Sequence, residues 1–154
     1  MKLKEILQYD NVIPSIKADN KRAVLEELAQ SVAEVHPDVD FEKLLKILLE
    51  REHLGTTGIG DNVAIPHGKI SGIIQPIVAF GRCIDGVDFD ALDGKLVHIF
   101  FLLIAPEQAS SQHLQVLVRI AKILKNFAFR NKLMESKSRD ELYNVIIETD
   151  EGEP

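Results

Sequence analysis

GTTGIGDNVAIPHGK, residues Gly55 to Lys69, packs four glycines, one proline and one histidine around a short apolar run. Gly58 and Gly60 allow positive φ or close backbone approach, and Val63, Ala64 and Ile65 predict a short buried strand. Pro66, with a fixed φ and no amide hydrogen, ends that strand, so His67 emerges at a strand end with Gly68 leaving room beside its ring. An imidazole so placed is available for chemistry. The same placement also suits a histidine that merely bonds a neighbouring carbonyl, and glycine-rich turns before strands are common in α/β proteins. Spacing alone leaves both readings open.

On the N-terminal side, Asp40 is a helix cap, and Phe41, Leu44, Leu45, Leu48 and Leu49 recur at the spacing of one buried helical stripe that Gly55 stops. Arg51 ends this helix. It reaches His67 only if the glycine loop folds the chain back, and is otherwise a solvated charge beside a neighbouring glutamate. Further upstream, Lys2 to Gln8 reads as a short amphipathic helical turn, and Asn11 to Lys17 as a loop and short strand interrupted by Pro14. Asp19 caps a helix that should stop near Glu34, and His36 falls in the following loop.

On the C-terminal side, Gln75 to Ile84 predicts a strand, with turns at Asp85-Gly86 and Asp93-Gly94. The aspartates between them lack the spacing of a calcium loop. Lys95 to Ala105 is the most hydrophobic strand pattern and reads as the middle of a sheet covered on both faces, with His98 as a core histidine. After Pro106, Ser110 or Ser111 is the cap candidate for a helix beginning near His113, with Leu114, Leu117, Val118, Ala121 and Leu124 on one stripe. Val116, Ile120 and Ile123 widen that stripe, so the helix should be largely buried. His113 then stands at the positive end of a helix dipole, a place that attracts anions, or is simply one more capping or solvated residue. A shorter helix around Phe127 to Met134 and a last one, Asp140 to Glu148 capped by Ser138, precede an acidic tail, 150–154, expected to fray.

Composition narrows the function classes. At 154 residues the chain is one domain on length. Its longest apolar run, Ile99 to Ala105, is far short of a membrane span, and Met1 to Asp10 has no secretory pattern, so the chain reads as cytoplasmic without membrane insertion. The net charge of −6 argues against a nucleic-acid surface and suits docking to a basic protein partner. Cys83 is the only cysteine and reads as a buried thiol. No HxxxH or HxH pair exists, so no metal site is expected. Alternating strands and helices predict an α/β sandwich spanning 1–154, with a mixed sheet of about five strands and helices on both faces.

The segment GIGDNVAIPHGK, preceded by Arg51 and Glu52, resembles the active-site signature of the fructose/mannitol type of enzyme IIA, a phosphocarrier of the bacterial phosphoenolpyruvate-dependent phosphotransferase system. The resemblance spans nearly the whole chain. It implies that His67 carries the phosphoryl group on Nε2, that Arg51 and His113 lie beside it, and that Gly58, Gly60, Gly68 and Ser111 support the phosphate loop. It implies an HPr-type phosphocarrier as donor, no cofactor, and a downstream partner that is either a regulatory target protein or an enzyme IIB. REHLGTTGIGDNVAIPHGK and the ending DELYNVIIETDEG look closer to the nitrogen-regulatory type than to the sugar-uptake type. Asp61-Asn62 departs from the smaller or less charged residues expected there, so the loop beside His67 is expected to differ in shape. A binding module of the same fold without phosphorylation is the third reading.

Overall fold

The strand that reads as central is central. In the computed structural model, which describes residues 1–153, β6 (Val97–Pro106) lies antiparallel to β5 (Ile77–Val87) on one edge and parallel to β3 (Val63–Ala64) and β4 (His67–Ile70) on the other. Its side chains alternate between two separate cores, as the two-residue period of a strand requires. Phe100, Leu102 and Ile104 pack with α1 (Lys21–Val35) and α2 (Phe41–Leu54) through Leu28, Leu44 and Leu48. Ile99, Phe101 and Leu103 pack with α3 (Ser110–Leu124), α4 (Phe127–Glu135) and α5 (Arg139–Glu151) through Ile120, Phe129 and Ile146. Helices therefore cover both faces, which is why this strand carries no polar side.

With β1 (Leu7–Ile13) parallel to β5 and β2 (Gly58–Gly60) antiparallel to β3, the order is β1-β5-β6-β3-β2. Six strands form where about five were expected, because β3 and β4 occupy successive stretches of one edge of β6. Among the described residues no helix is long and apolar enough to cross a membrane.

Several local expectations give way to tertiary context. Lys2 to Gln8 holds only a 3-10 turn at Leu3–Glu5, and the chain then enters β1, because the open edge of β5 offers backbone partners from Leu7 onward. Asn20, not Asp19, caps α1, its side-chain oxygen accepting from the Ala23 amide at 2.9 Å. Asp85-Gly86 is no turn. β5 runs through it to Val87, and Gly86, at φ +81°, carries an irregularity in the register over which the His98 ring packs closely. Leu114 and Val118 are 59% and 57% exposed, so α3 buries the narrower stripe of Val116, Ile120, Ile123 and Leu124 and is not largely buried. The acidic end does not fray at Asp150: α5 continues to Glu151, and the fully buried Asp150 carboxylate accepts from the Leu3 amide at 2.7 Å and pairs with Arg119. Pro154 lies outside the described residues.

Candidate active site

The site assembles where α2 ends, β4 begins and α3 begins. Gly55 stops α2, and Arg51, four residues earlier, donates from Nη1 to the Gly55 carbonyl at 2.8 Å. That bond fixes the guanidinium across the helix end. Glu52, its side chain only 6% exposed, turns the other way. Its carboxylate accepts from the Thr57 amide at 3.0 Å and from the Thr57 hydroxyl, and pairs with Lys21 Nζ at 3.0 Å. The start of the glycine loop is thereby tied to the helix that carries Arg51.

From Thr57 the chain runs through β2, turns, and returns through β3. Asp61 and Asn62 are the two left-handed residues of that turn, at φ 56° and 66°. The turn is not beside His67. The Asn62 carbonyl accepts from the His98 and Ile99 amides, whereas His67 registers with Leu103, about 13 Å further along β6 at ordinary strand rise. The Asp61-Asn62 turn therefore stands away from the imidazole along β6. Gly58 and Gly60 also serve the far side of the loop. A Cβ on Gly58 would stand 2.9 Å from the Ala91 Cα, and one on Gly60 would meet the Asp93 carboxylate, so these glycines seat the acidic 88–95 loop and do not face the ring.

Pro66 does less than end a strand. It makes a jog between two strands, its carbonyl accepting from the Leu103 amide at 3.0 Å, and His67 opens β4. Gly68 is needed for close approach: a Cβ there would lie 2.7 Å from Ile47 Cγ2 of α2. Strand alternation then turns His67 to the opposite face, toward α3.

His67 is half-buried, and its two ring nitrogens have different partners. Nδ1 lies 2.8 Å from the Ile65 carbonyl, an acceptor, and Nε2 lies 3.3 Å from Arg51 Nε, a donor. Only one neutral tautomer satisfies both: Nδ1 carries the proton and Nε2 presents its lone pair. Burial pushes the His67 pKa below its ordinary value, against the Ile65 hydrogen bond, with Arg51 lowering it further and Glu52 opposing. The ring is thus held neutral near pH 7, with its nucleophilic nitrogen defined.

His113 stands beside it, ring centroids 5.4 Å apart and planes at 57°. It sits in the first turn of α3, where Ala109 is the cap residue and no side chain caps. Neither serine takes the capping role. The Ser110 hydroxyl accepts from Lys69 Nζ at 2.7 Å, while Ser111 is exposed and makes no side-chain hydrogen bond among the described residues. His113 Nδ1 is buried without a hydrogen-bond partner. Burial, then His67, then Lys69 lower the His113 pKa, so both rings are biased to the uncharged form.

Of the residues expected from sequence, the structure brings Arg51, His67, Gly68 and His113 together, seats Gly58 and Gly60 against the 88–95 loop, and leaves Ser111 exposed in the first turn of α3. The Glu52 clamp, the Ile65 carbonyl and Lys69 were not singled out. Glu52 alone had a readable signal, since a carboxylate in the last turn of a helix opposes the dipole and calls for a compensating partner. Among the described residues no group of three His, Cys, Asp or Glu is placed to hold a metal ion.

A nucleophilic imidazole between a guanidinium and a second imidazole is suited to receiving an anionic group. The sequence model of the phosphoenolpyruvate-dependent sugar phosphotransferase system, EIIA 2, matches residues 5–149. The chain belongs to this EIIA family. It is 35% identical over 153 residues to the nitrogen regulatory protein of Pseudomonas aeruginosa, covering 99% of both chains. It is 34% identical over 150 residues to the fructose-specific EIIABC component of Bacillus subtilis, covering 97% of this chain and 24% of that protein. Among solved structures, nitrogen regulatory protein IIA-Ntr from Neisseria meningitidis superimposes with a TM-score of 0.86 at 34% identity, over 94% of this chain and 98% of that one. This EIIA chain is therefore a phosphotransferase-system component of the IIA type.

Proposed function

We propose that this EIIA protein is a phosphocarrier whose acceptor is His67 Nε2, charged by a phosphorylated HPr-type protein and acting mainly as a nitrogen-type regulator in the cytoplasm, with residues 1–154 as one EIIA domain. The observation that carries the reading is the pair of opposed hydrogen bonds on the His67 ring, one from Nδ1 to the Ile65 carbonyl and one to Nε2 from Arg51. They select the tautomer that a nucleophilic Nε2 requires.

In the reaction, the Nε2 lone pair attacks the phosphorus of the donor's phosphohistidine as the donor N–P bond breaks in line, the bonding pair staying on the donor ring. The His67 Nδ1 proton stays in place. Its bond to Ile65 then steadies the positive charge that the phosphorylated ring acquires. Arg51 Nε, which bonds Nε2 in the free protein, transfers its hydrogen bond to a phosphoryl oxygen, and the planar guanidinium can engage a second. His113 borders the space on the far side of the ring. Positioning and charge balance do the catalytic work, since no proton must move.

The regulatory assignment draws on the likeness to the P. aeruginosa nitrogen regulatory protein, at 35% identity, and to the N. meningitidis IIA-Ntr structure, at a TM-score of 0.86. The alternative is a sugar-specific IIA that hands phosphate to an enzyme IIB. Incubation with phosphoenolpyruvate, enzyme I and HPr should yield an acid-labile adduct that His67→Ala abolishes and His113→Ala only slows. Absence of the adduct would leave a binding module. Efficient onward transfer to a sugar-specific IIB would make the protein a sugar carrier.

A further inference from the structure

We propose that Lys69, held against the Ser110 hydroxyl at the start of α3, is a second cation of the phosphoryl site, binding a phosphoryl oxygen on His67 together with Arg51. The inference rests on the reading of His67 as acceptor.

Strand geometry places it there. Gly68 faces α2, within 2.7 Å of Ile47 for a Cβ, so His67 and Lys69 share the opposite face of β4, about 6–7 Å apart at ordinary strand rise. On that face stands the beginning of α3, which supplies both His113 and Ser110. The Lys69 ammonium reaches Ser110 Oγ at 2.7 Å, and its charge is felt at the His113 ring. Arg51, Gly68 and Lys69 also line one open groove between the end of α2 and β4.

Its bonding is incomplete in an informative way. Lys69 forms no ion pair among the described residues, unlike Lys4, Lys21 and Lys122, and it donates to a neutral hydroxyl. An ammonium has three donors and a flexible stem, so two donors remain for an incoming anion. Arg51 likewise has no carboxylate partner, its bonds going to Gly55 and His67. A phosphoryl group presents three oxygens, of which the Arg51 guanidinium engages two at most. Lys69 supplies a charged donor for the third. It forms and breaks no covalent bond: the N–P bond breaks on the donor ring and forms at His67 Nε2, while the ammonium keeps all its protons.

The test is steady-state transfer from phosphorylated HPr to wild type, Lys69→Gln, Lys69→Arg and His67→Ala, with each variant's fold checked by its amide NMR spectrum. Lys69→Gln should lower kcat by about tenfold, the worth of one charge-assisted contact in the transition state, with KM for the donor within about twofold. Lys69→Arg should recover most of the rate. The phosphorus-31 resonance of the phosphorylated Gln variant should move from its wild-type position, because an oxygen has lost its ammonium. Unchanged kcat, a change confined to KM, or equal impairment of the Gln and Arg variants would each overturn the assignment. Failure of the underlying carrier reading looks different: wild type unlabelled, or His67→Ala labelled as well as wild type.

Discussion

Glu52→Gln preserves the size of a nearly buried side chain and removes its charge. In the folded protein this carboxylate accepts from the Thr57 amide and hydroxyl and pairs with Lys21, which is itself only one-fifth exposed. The amide can keep its oxygen on the Thr57 amide and Lys21 and donate its NH2 group to the Thr57 hydroxyl, so what the substitution removes is the charge behind all three contacts. Lys21 would retain Asp90, at 3.8 Å and well exposed, and the face of Phe89 at 4.7 Å. Weakening three charge-assisted contacts by roughly 1 kcal/mol each, with Asp90 offsetting part, gives a loss of about 2–3 kcal/mol. For a chain of this size that is a fall of about 5–10 °C in Tm. Urea denaturation measures the first figure, and a cycle with Thr57→Val should show coupling of at least about 0.5 kcal/mol. Because Glu52 is one of the groups that raise the His67 pKa, the variant's imidazole should also titrate at lower pH than wild type. A stability change under about 0.5 kcal/mol, or strict additivity with Thr57→Val, would refute the clamp.

Three further outcomes follow from the same geometry. Gly68→Ala should cost about 1–3 kcal/mol and slow phosphoryl transfer, since its Cβ would press on Ile47 Cγ2, and adding Ile47→Ala should restore much of the rate; a neutral Gly68→Ala would contradict the close packing of β4 on α2. Asp150→Asn should lose about 3 kcal/mol in urea denaturation, because it leaves Arg119 without its buried partner; a loss under about 1 kcal/mol would return the C-terminal end to the surface. NMR titration should place His67 below the ordinary histidine value of about 6.5. A depressed histidine binds its proton in the unfolded chain first, so acidification below pH 6.5 costs stability down to the folded pKa. Acceptor activity should hold to below pH 6.5 and then fall. Arg51→Gln, which removes a lowering charge, should shift the midpoint upward; a wild-type midpoint at or above 6.5 would be inconsistent with the neutral ring.

The sequence made the middle of the fold readable and its edges much less so. An apolar run without polar alternation, such as Ile99 to Ala105, has one stable home, between two helical layers. The caps at Asp40 and Ser138 were legible because side chain and helix period agreed. β1 was not, because Leu7 to Ile13 is a strand only by virtue of the open edge of β5. Asp85-Gly86 carries turn chemistry, yet the pairing of Val87 with Val97 extends the strand through it. At the site, His67, Arg51 and His113 are chemically conspicuous in the sequence, and the fold brings them side by side. Glu52, Lys69 and the Ile65 carbonyl depend on where the loop folds back, and a backbone oxygen has no sequence signature at all.

The central claim is that Nε2 of His67 is the atom that takes the phosphoryl group. Nitrogen-15-labelled protein phosphorylated through HPr and examined for phosphorus-to-nitrogen coupling in the imidazole rings tests it at the atom. The account predicts coupling to Nε2 of His67, with Nδ1 still protonated. Coupling to Nδ1 of that ring, or to either nitrogen of His113, would contradict it.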